Sequence, residues 1–252
     1  MTTLEKIIQA KHRRIGIQKL SNSFTDHYIN NDSSVAGPKF FDTLIKSKNE
    51  YKIIAEMKKA SPSAGLIVED YKPDLIAQEY EREGYTNLSI LTEEDHFNGL
   101  LSHITKVKKI SQLPILQKDF IIDEWQIYQA KTIGADCILL IAEALTKEEI
   151  DSFIHTAKTL QLDVLLEFHA EEEIQKILDT NLEYIGINNR NLHTLETDVN
   201  HTLRIRDKYQ KELERFKIIA ESGFKTKTEL DKYKSNQIDL FLIGESLLKE
   251  KL

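Results

Sequence analysis

The sequence predicts an α/β fold, a (β/α)8 TIM barrel with an N-terminal helical extension, on three observations. Eight short apolar or β-branched runs centre near Ile54, Ser89, Leu116, Leu139, Leu165, Ile185, Ile218 and Phe241. Segments with helical periodicity and recognisable ends separate them, which makes the connections crossovers rather than hairpins. Four runs end in ionisable or polar residues: Ile53-Ile54-Ala55-Glu56-Met57-Lys58, Pro114-Ile115-Leu116-Gln117-Lys118-Asp119, Leu165-Leu166-Glu167 and Tyr184-Ile185-Gly186-Ile187-Asn188. A strand covered on both faces reads as nearly continuous apolar sequence. An ionisable group at its carboxyl end therefore marks where a parallel sheet opens into a ligand crevice.

Taken in chain order, residues 1–45 form the extension, with a helix expected from Thr3 to roughly Leu20 and Leu4, Ile7, Ile8 and Ile15 available for burial. After the first strand, Pro73 suits a first helical turn, Leu75, Ile76 and Tyr80 supply a buried stripe, and Gly84 takes the left-handed stop. Asp123 with Gln126 opens the helix after the third strand, where Trp125 packs, and Gly134 closes it. Thr146 with Glu149, and Thr226 with Glu229, are spaced as capping boxes. The run Glu171-Glu172-Glu173 suits the first turn of a helix, where the macrodipole favours carboxylates. With no Gly/Ser-rich linker and no repeat, residues 1–252 read as one domain, since a single barrel uses about 250 residues. An open doubly wound sheet is the competing arrangement, but no G-x-G-x-x-G follows the first strand.

Composition narrows the function. Hydrophobic residues at 40%, charged residues at 30% and a net charge of -7 describe an ordinary water-facing protein with enough apolar sequence for a large core. The acidic balance, with no basic face, argues against nucleic acid. Cys137, the one cysteine, lies in the run Cys137-Ile138-Leu139-Leu140-Ile141 and reads as a small core residue in a reducing compartment. No apolar stretch approaches the ~20 residues of a membrane span, and a secretory leader is not recognisable, so the cytoplasm is the expected location and no membrane partner is expected. The eight histidines show no H-E-x-x-H and no ligand-like cluster, so neither a metal site nor a metal cofactor is expected. No dedicated interface is legible, and a monomer is the default.

In a barrel, groups at the carboxyl ends of strands face a common pocket. Glu56 and Lys58, two apart on the first strand, share a side and can pair. Lys118 comes from the third strand, Glu167 from the fifth, and Asn188 and Arg190 from the sixth. A desolvated lysine beside another cation has its pKa lowered, which would make Lys118 or Lys58 a proton donor near neutral pH. Glu167 is the matching group for a second proton transfer. One strand-end pair reads equally well as a structural salt bridge; five such groups on one rim favour chemistry. Asn188-Asn189-Arg190-Asn191, by spacing alone, also reads as a polar turn. His169 reads as a helix-entry residue. Glu221-Ser222-Gly223 after the seventh strand, Gly244-Glu245-Ser246 after the eighth, and Ser61-Pro62-Ser63-Ala64-Gly65 after the first fit loops that bind phosphate through backbone amides. A phosphorylated small molecule is the natural ligand.

The segments Ile54-Ala55-Glu56-Met57-Lys58-Lys59-Ala60-Ser61-Pro62-Ser63, Pro114 to Asp123, Ile185-Gly186-Ile187-Asn188-Asn189-Arg190-Asn191-Leu192, Ala220-Glu221-Ser222-Gly223 and Leu242-Ile243-Gly244-Glu245-Ser246 together resemble the indole-3-glycerol phosphate synthase family of tryptophan biosynthesis. The resemblance runs from the N-terminal helix to the last strand. It implies a carboxy-lyase that closes the indole ring of 1-(2-carboxyphenylamino)-1-deoxyribulose 5-phosphate with loss of carbon dioxide and water, without cofactor. Carried over, it implies Lys118 as the general acid at the substrate ketone and Glu167 in the dehydration. It further implies Lys58 on the substrate's carboxylate or phosphate side with a share in proton transfer, and Glu56 and Asn188 as orienting groups. Ser61, Ser222, Gly223, Gly244 and Ser246, with Glu221 beside them, would form the phosphate side; Arg190 would fix the anthranilate carboxylate or the loop, and Phe97 would lie against the substrate ring. Ala64 stands where the family usually has lysine, Asn98-Gly99 where it has a glycine pair, and Gln117 where arginine is common. These departures bear on loop closure and affinity more than on the reaction. Two other readings compete: a phosphate-binding sugar isomerase on the same barrel, and a noncatalytic barrel that binds a phosphorylated metabolite.

Overall fold

The computed structural model describes residues 1–21 and 39–249. Eight parallel strands close into a barrel: β1 (Lys52–Met57), β2 (Asn87–Leu91), β3 (Ile115–Lys118), β4 (Cys137–Ile141), β5 (Asp163–Phe168), β6 (Tyr184–Asn188), β7 (Lys217–Glu221) and β8 (Leu240–Ile243). They pair in chain order, and β8 returns to β1 with Ile54 beside Leu242. All eight expected strand centres fall inside these strands. The helices are α1 (Thr3–Ser21), α2 (Phe40–Lys46), α3 (Pro73–Arg82), α4 (Ser102–Lys108), α5 (Trp125–Ile133), α6 (Lys147–Thr159), α7 (Ile174–Leu178), α8 (His201–Lys208), α9 (Gln210–Leu213), α10 (Lys227–Ser235) and α11 (Glu245–Lys249).

Local signals set most of these ends. Both capping boxes form: Thr146 and Thr226 accept from the amides of Glu149 and Glu229, whose carboxylates accept in return from the threonine amides at 2.8 and 2.9 Å. Gly84 and Gly134 take left-handed φ values of 89° and 93° after α3 and α5. One expectation needs correction. Leu75 is 53% exposed, because a helix beginning at Pro73 buries Pro73, Ala77 and Tyr80 on one face and turns Leu75 outward. Asp123 and Gln126 open the helix after the third strand as expected: Asp123 Oδ1 accepts the Trp125 amide at 2.9 Å, Gln126 Oε1 takes the amides of Ile122 and Asp123, and the regular helix runs from Trp125. The Glu171–Glu173 run forms the first turn, in 3-10 geometry, of a helical stretch that continues directly into α7.

Burial falls into two layers. The outer layer joins alternate strand residues such as Ala55, Ile90, Ile138 and Leu166 to the apolar faces of the surrounding helices. The inner layer joins the other set, Ile54, Leu116, Leu139, Leu165, Ile219 and Leu242, with side chains from α1 and α2. A strand's two-residue period separates these faces.

The extension closes both ends of the inner layer. Helix α2 was not foreseen, and it seals the amino end: Phe40 carbonyl accepts Asn87 Nδ2 at 2.8 Å, the Phe41 amide donates to Asp163 Oδ2 at 3.3 Å, and the Phe41 ring stacks on Tyr184 at 4.0 Å. Asn87, Asp163 and Tyr184 are the first residues of their strands. At the carboxyl end lies α1, with Leu4, Ile7 and Ile15 buried as expected and Ile8 partly so. The expectation for residues 1–45 includes 22–38, which lie outside the described residues. Among the described residues no helix is long and apolar enough to cross a membrane.

Phe40 is fully buried beneath the barrel, so Phe40→Ala should lower the unfolding free energy by about 3–5 kcal/mol, the range for emptying a packed aromatic site. Urea titration checks this; a loss below about 1 kcal/mol would mean that α2 is not part of the core.

Candidate active site

Parallel register brings the strand-end groups to one level. Glu167 stands opposite Gly186, Asn188 opposite Glu221, and Glu221 opposite Leu242. At the centre, Lys118 Nζ donates to Glu167 Oε2 at 2.7 Å and to Glu221 Oε2 at 2.9 Å. Beside it, Lys58 Nζ donates to Glu56 Oε1 at 2.5 Å. Asn188 Nδ2 reaches Glu167 Oε1 at 3.4 Å, while its Oδ1 accepts the Arg190 amide at 3.0 Å. Arg190 Nη1 spans the mouth to Ser63 Oγ at 2.6 Å. Glu56, Lys58, Lys118, Glu167, Asn188 and Arg190 thus converge as the sequence implied.

The electrostatics differ from the expectation. Burial pulls the Lys118 ammonium down, but the carboxylates of Glu167, Glu221 and Glu56 overcome it and hold the amine above its ordinary value of 10.5. The pKa-lowering cation does not materialise, because Lys58 is occupied by Glu56. For Glu56, burial pushes upward, yet Lys58 and Lys118 bring its carboxyl below the ordinary 4.5. Burial and the neighbouring Glu167 carboxylate raise Glu221 well above 4.5, outweighing Lys118. Glu221, expected on the phosphate side, is therefore a member of the central cluster. Gly186 and Gly244 follow from the same crowding. A Cβ at 186 would sit 2.1 Å from Glu221 Oε1, and one at 244 would sit 2.6 Å from Glu56 Oε1.

Two spaces open from this cluster. One is a cavity of about 90 Å³ walled by Leu4, Ile7, Phe97, Phe120, Leu139, Ile141 and Leu192. Ser61 lines this cavity; its Oγ accepts the Ala64 amide at 3.1 Å. The other is a groove of about 670 Å³ lined by Ser63, Ala64, Ser222, Gly223, Gly244 and Ser246. Glu56, Lys58, Lys118, Arg190 and Ser222 border both. Ser246 spends its hydroxyl proton on the Phe224 carbonyl at 2.7 Å. Ser222 adopts φ 68° and Gly223 φ 91°, a left-handed pair that turns the chain sharply after β7. Phe97 is held by Glu93, which accepts the amides of His96 and Phe97 at 2.7 and 3.1 Å.

The polar run after β6 divides into site and scaffold. Asn189 Oδ1 accepts from the Thr202 amide and hydroxyl and from Tyr233, and Asn191 Oδ1 takes the amides of His193 and Thr194. His169 does more than enter a helix: its Nδ1 donates to the Asn188 carbonyl at 2.7 Å, and its ring stacks on His201 at 4.0 Å. Glu143 Oε1 accepts the His169 and Ala170 amides at 2.6 and 2.8 Å. Among the described residues, no group of three or more His, Cys, Asp or Glu side chains is arranged to hold a metal ion.

Several wall residues were not singled out from sequence: Leu4 and Ile7 as pocket residues, Phe120, Leu139, Ile141 and Leu192. Asp119 and Lys11 were also missed; Lys11 Nζ lies 2.6 Å from Asp119 Oδ1, and both are buried. The signal was present in α1, where Leu4, Ile7, Lys11 and Ile15 repeat at helical spacing and put a lysine inside an apolar stripe.

Comparison with known proteins identifies the family. The family model for indole-3-glycerol phosphate synthase matches residues 4–251. Similar proteins described as indole-3-glycerol phosphate synthase include one from Lachnoclostridium phytofermentans, 39% identical over 98% of this chain and 92% of its own length. One from Endomicrobium trichonymphae is 41% identical over 98% and 94%. One from Campylobacter fetus subsp. fetus is 41% identical over 92% and 86%. Among solved structures, the N-acetylmannosamine-6-phosphate 2-epimerase from Clostridium perfringens shares the fold, with TM-score 0.57 at 11% identity over 81% of this chain and 89% of that one. The KGPDC of Streptococcus mutans does so at TM-score 0.55 and 12% identity, over 79% and 90%. With a family match across nearly the whole chain and relatives near 40% identity, the chain belongs to the indole-3-glycerol phosphate synthase family, carboxy-lyases on a (β/α)8 barrel.

Proposed function

We propose that the central cluster carries out the family's ring closure, with 1-(2-carboxyphenylamino)-1-deoxyribulose 5-phosphate lying across it. The observation that carries this reading is the two-part cavity. An apolar slot and a groove of small residues share one border of acids and bases, which suits a substrate with an aryl ring at one end and a phosphate at the other. The ring lies among Leu4, Ile7, Phe97, Phe120 and Leu192. The phosphate lies in the groove at Ser222, Gly223, Gly244 and Ser246; Ser61, expected with them on the phosphate side, lines the apolar cavity instead and with Arg190 borders the ring's carboxylate.

The ring carbon that bears the carboxylate attacks the ketone carbon. One C–C bond forms, and the ketone oxygen takes a proton from the Lys118 ammonium. The carbon–carboxylate bond then breaks, its electron pair returns to the ring, and carbon dioxide leaves. Next the new hydroxyl departs as water while the adjoining methylene carbon loses a proton. Glu167, already hydrogen-bonded to Lys118, is the proton carrier for this second stage. Lys58 faces the substrate's negative groups and shares in proton transfer, with Glu56 orienting it; Asn188 orients Glu167. The sequence of steps needs no external oxidant or reductant, so its demands fall on positioned acids, bases and counter-charges. The raised Lys118 pKa means that this acid acts as a full ammonium, whose proton becomes transferable as negative charge develops on the ketone oxygen.

Residues 1–252 are read as one functional unit, since α1 walls the cavity that the barrel builds. A monomer in the cytoplasm fits the buried, unpaired Cys137 and a small metabolite substrate.

Purified protein should convert the carboxyphenylamino-deoxyribulose phosphate to fluorescent indole-3-glycerol phosphate with a chelator present and nothing else added. Tight binding without turnover would instead indicate a binding protein. Lys118→Ala should lower kcat by at least ~10²-fold with substrate binding largely retained, and near-normal turnover would remove Lys118 from the acid's role. A depressed carboxyl stabilises the fold above its unfolded pKa, and that contribution is lost as pH falls through the folded value. The stability difference between the parent and Glu56→Gln, read by urea unfolding, should therefore be constant at neutral pH and change below about pH 4.5, the ordinary value. A difference unchanged down to about pH 3 would contradict the depressed Glu56 carboxyl.

A further inference from the structure

Lys11 and Asp119 form a nearly water-free ion pair between the extension and the barrel mouth. Lys11 is 4% exposed and Asp119 3%, and their charged atoms are 2.6 Å apart. Burying an ammonium and a carboxylate is expensive unless the remaining bonds are made. Here they are. Asp119 Oδ1 also accepts the Phe120 amide at 2.7 Å, and Oδ2 accepts Thr92 Oγ1 at 2.6 Å. Thr92 in turn accepts Gln117 Nε2 at 3.2 Å, so the glutamine at that departure from the family pattern braces the same carboxylate. Glu94 Oε2 lies 3.7 Å from Lys11 Nζ.

Helix α1 already has more exposed latches, Arg14 to Asp95 and Lys19 to Asp123. Those pairs are screened by water and contribute little. The buried pair differs in where it acts. Asp119 directly follows Lys118 and precedes Phe120, while Lys11 stands on the helix face that carries Leu4 and Ile7 into the cavity. One ionic joint thus links the helix and the loop that contribute Leu4, Ile7 and Phe120 to the slot.

We propose that Lys11 is a positioning residue for the reaction: its buried bond to Asp119 seats α1 and the Phe120 loop against each other, and so shapes the slot that receives the substrate's aryl ring. This rests on the ring-closing reading above. Burial works against the Lys11 ammonium, but Asp119 outweighs it and the net direction is upward, so the lysine keeps its charge.

Full-length Lys11→Met, Lys11→Arg, Asp119→Asn and the Lys11→Met/Asp119→Asn double variant test it. Lys11→Met should raise KM roughly tenfold while kcat falls far less, since a displaced wall weakens ring binding more than it alters the acid. Competitive inhibition by inorganic phosphate, which occupies only the groove, should stay within about twofold of the parent, and Lys11→Arg should recover most of the loss. The two single effects should not add in the double variant. Hydrogen exchange should show residues 3–21 opening faster in Lys11→Met with the barrel strands unchanged. An unchanged KM with unchanged α1 protection, additive effects, or equal losses of phosphate binding and strand protection would each overturn the joint. If the parent itself shows no turnover, the ring-closing reading fails separately, and the exchange comparison alone decides whether Lys11 seats α1.

Discussion

A lysine ammonium held between carboxylates at the barrel mouth is the constraint on which the rest depends. Lys118 and Lys58 face Glu56, Glu167 and Glu221, two cations against three acids. Charges removed from water persist only when paired, and burial beside Glu167 pushes the Glu221 carboxyl upward while Lys118 opposes it. The cluster also dictates nearby sequence. Gly186 and Gly244 leave space that Glu221 and Glu56 occupy, so these glycines serve the acids before they serve any ligand. Asn188 braces Glu167, and His169 and Glu143 brace Asn188 and the turn after β5.

Around that centre, the extension turns a common barrel into a specific site. Helix α2 fills the amino end with Phe40 and Phe41, and α1 supplies Leu4 and Ile7 at the carboxyl end. The barrel contributes acids and bases at strand ends, while helix and loops contribute apolar walls and small-residue turns. On the ring-closing reading, the slot would hold a ring and the groove a phosphate, with the acids and bases of the cluster bordering both. Remote binding energy can then be used to position the reacting carbons.

Most of the barrel was legible because its signals are local. Strand centres, the capping boxes at Thr146 and Thr226, and the stops at Gly84 and Gly134 rest on short-range geometry that the sequence states directly. Strand-end ionisable residues exposed the site for the same reason. What escaped depends on distance. Nothing near Glu221 reveals that it meets Lys118, 103 residues away, rather than a phosphate. Helix α2 has only seven residues, and its purpose appears only when Asn87, Asp163 and Tyr184 close above it. The direction of the Lys118 shift depended on which neighbour was nearer, and the carboxylates were. Lys11 carried a readable sign, a charge in an apolar stripe, whose partner only the fold discloses.

The most direct measurement is the titration of the Lys118 Nζ by 15N NMR, assigned by comparison with the Lys118→Ala variant. An ammonium clasped by Glu167 and Glu221 stays protonated through pH 10.5, the ordinary lysine value. Loss of its proton near neutral pH would contradict the carboxylate-bound acid at the centre of the site.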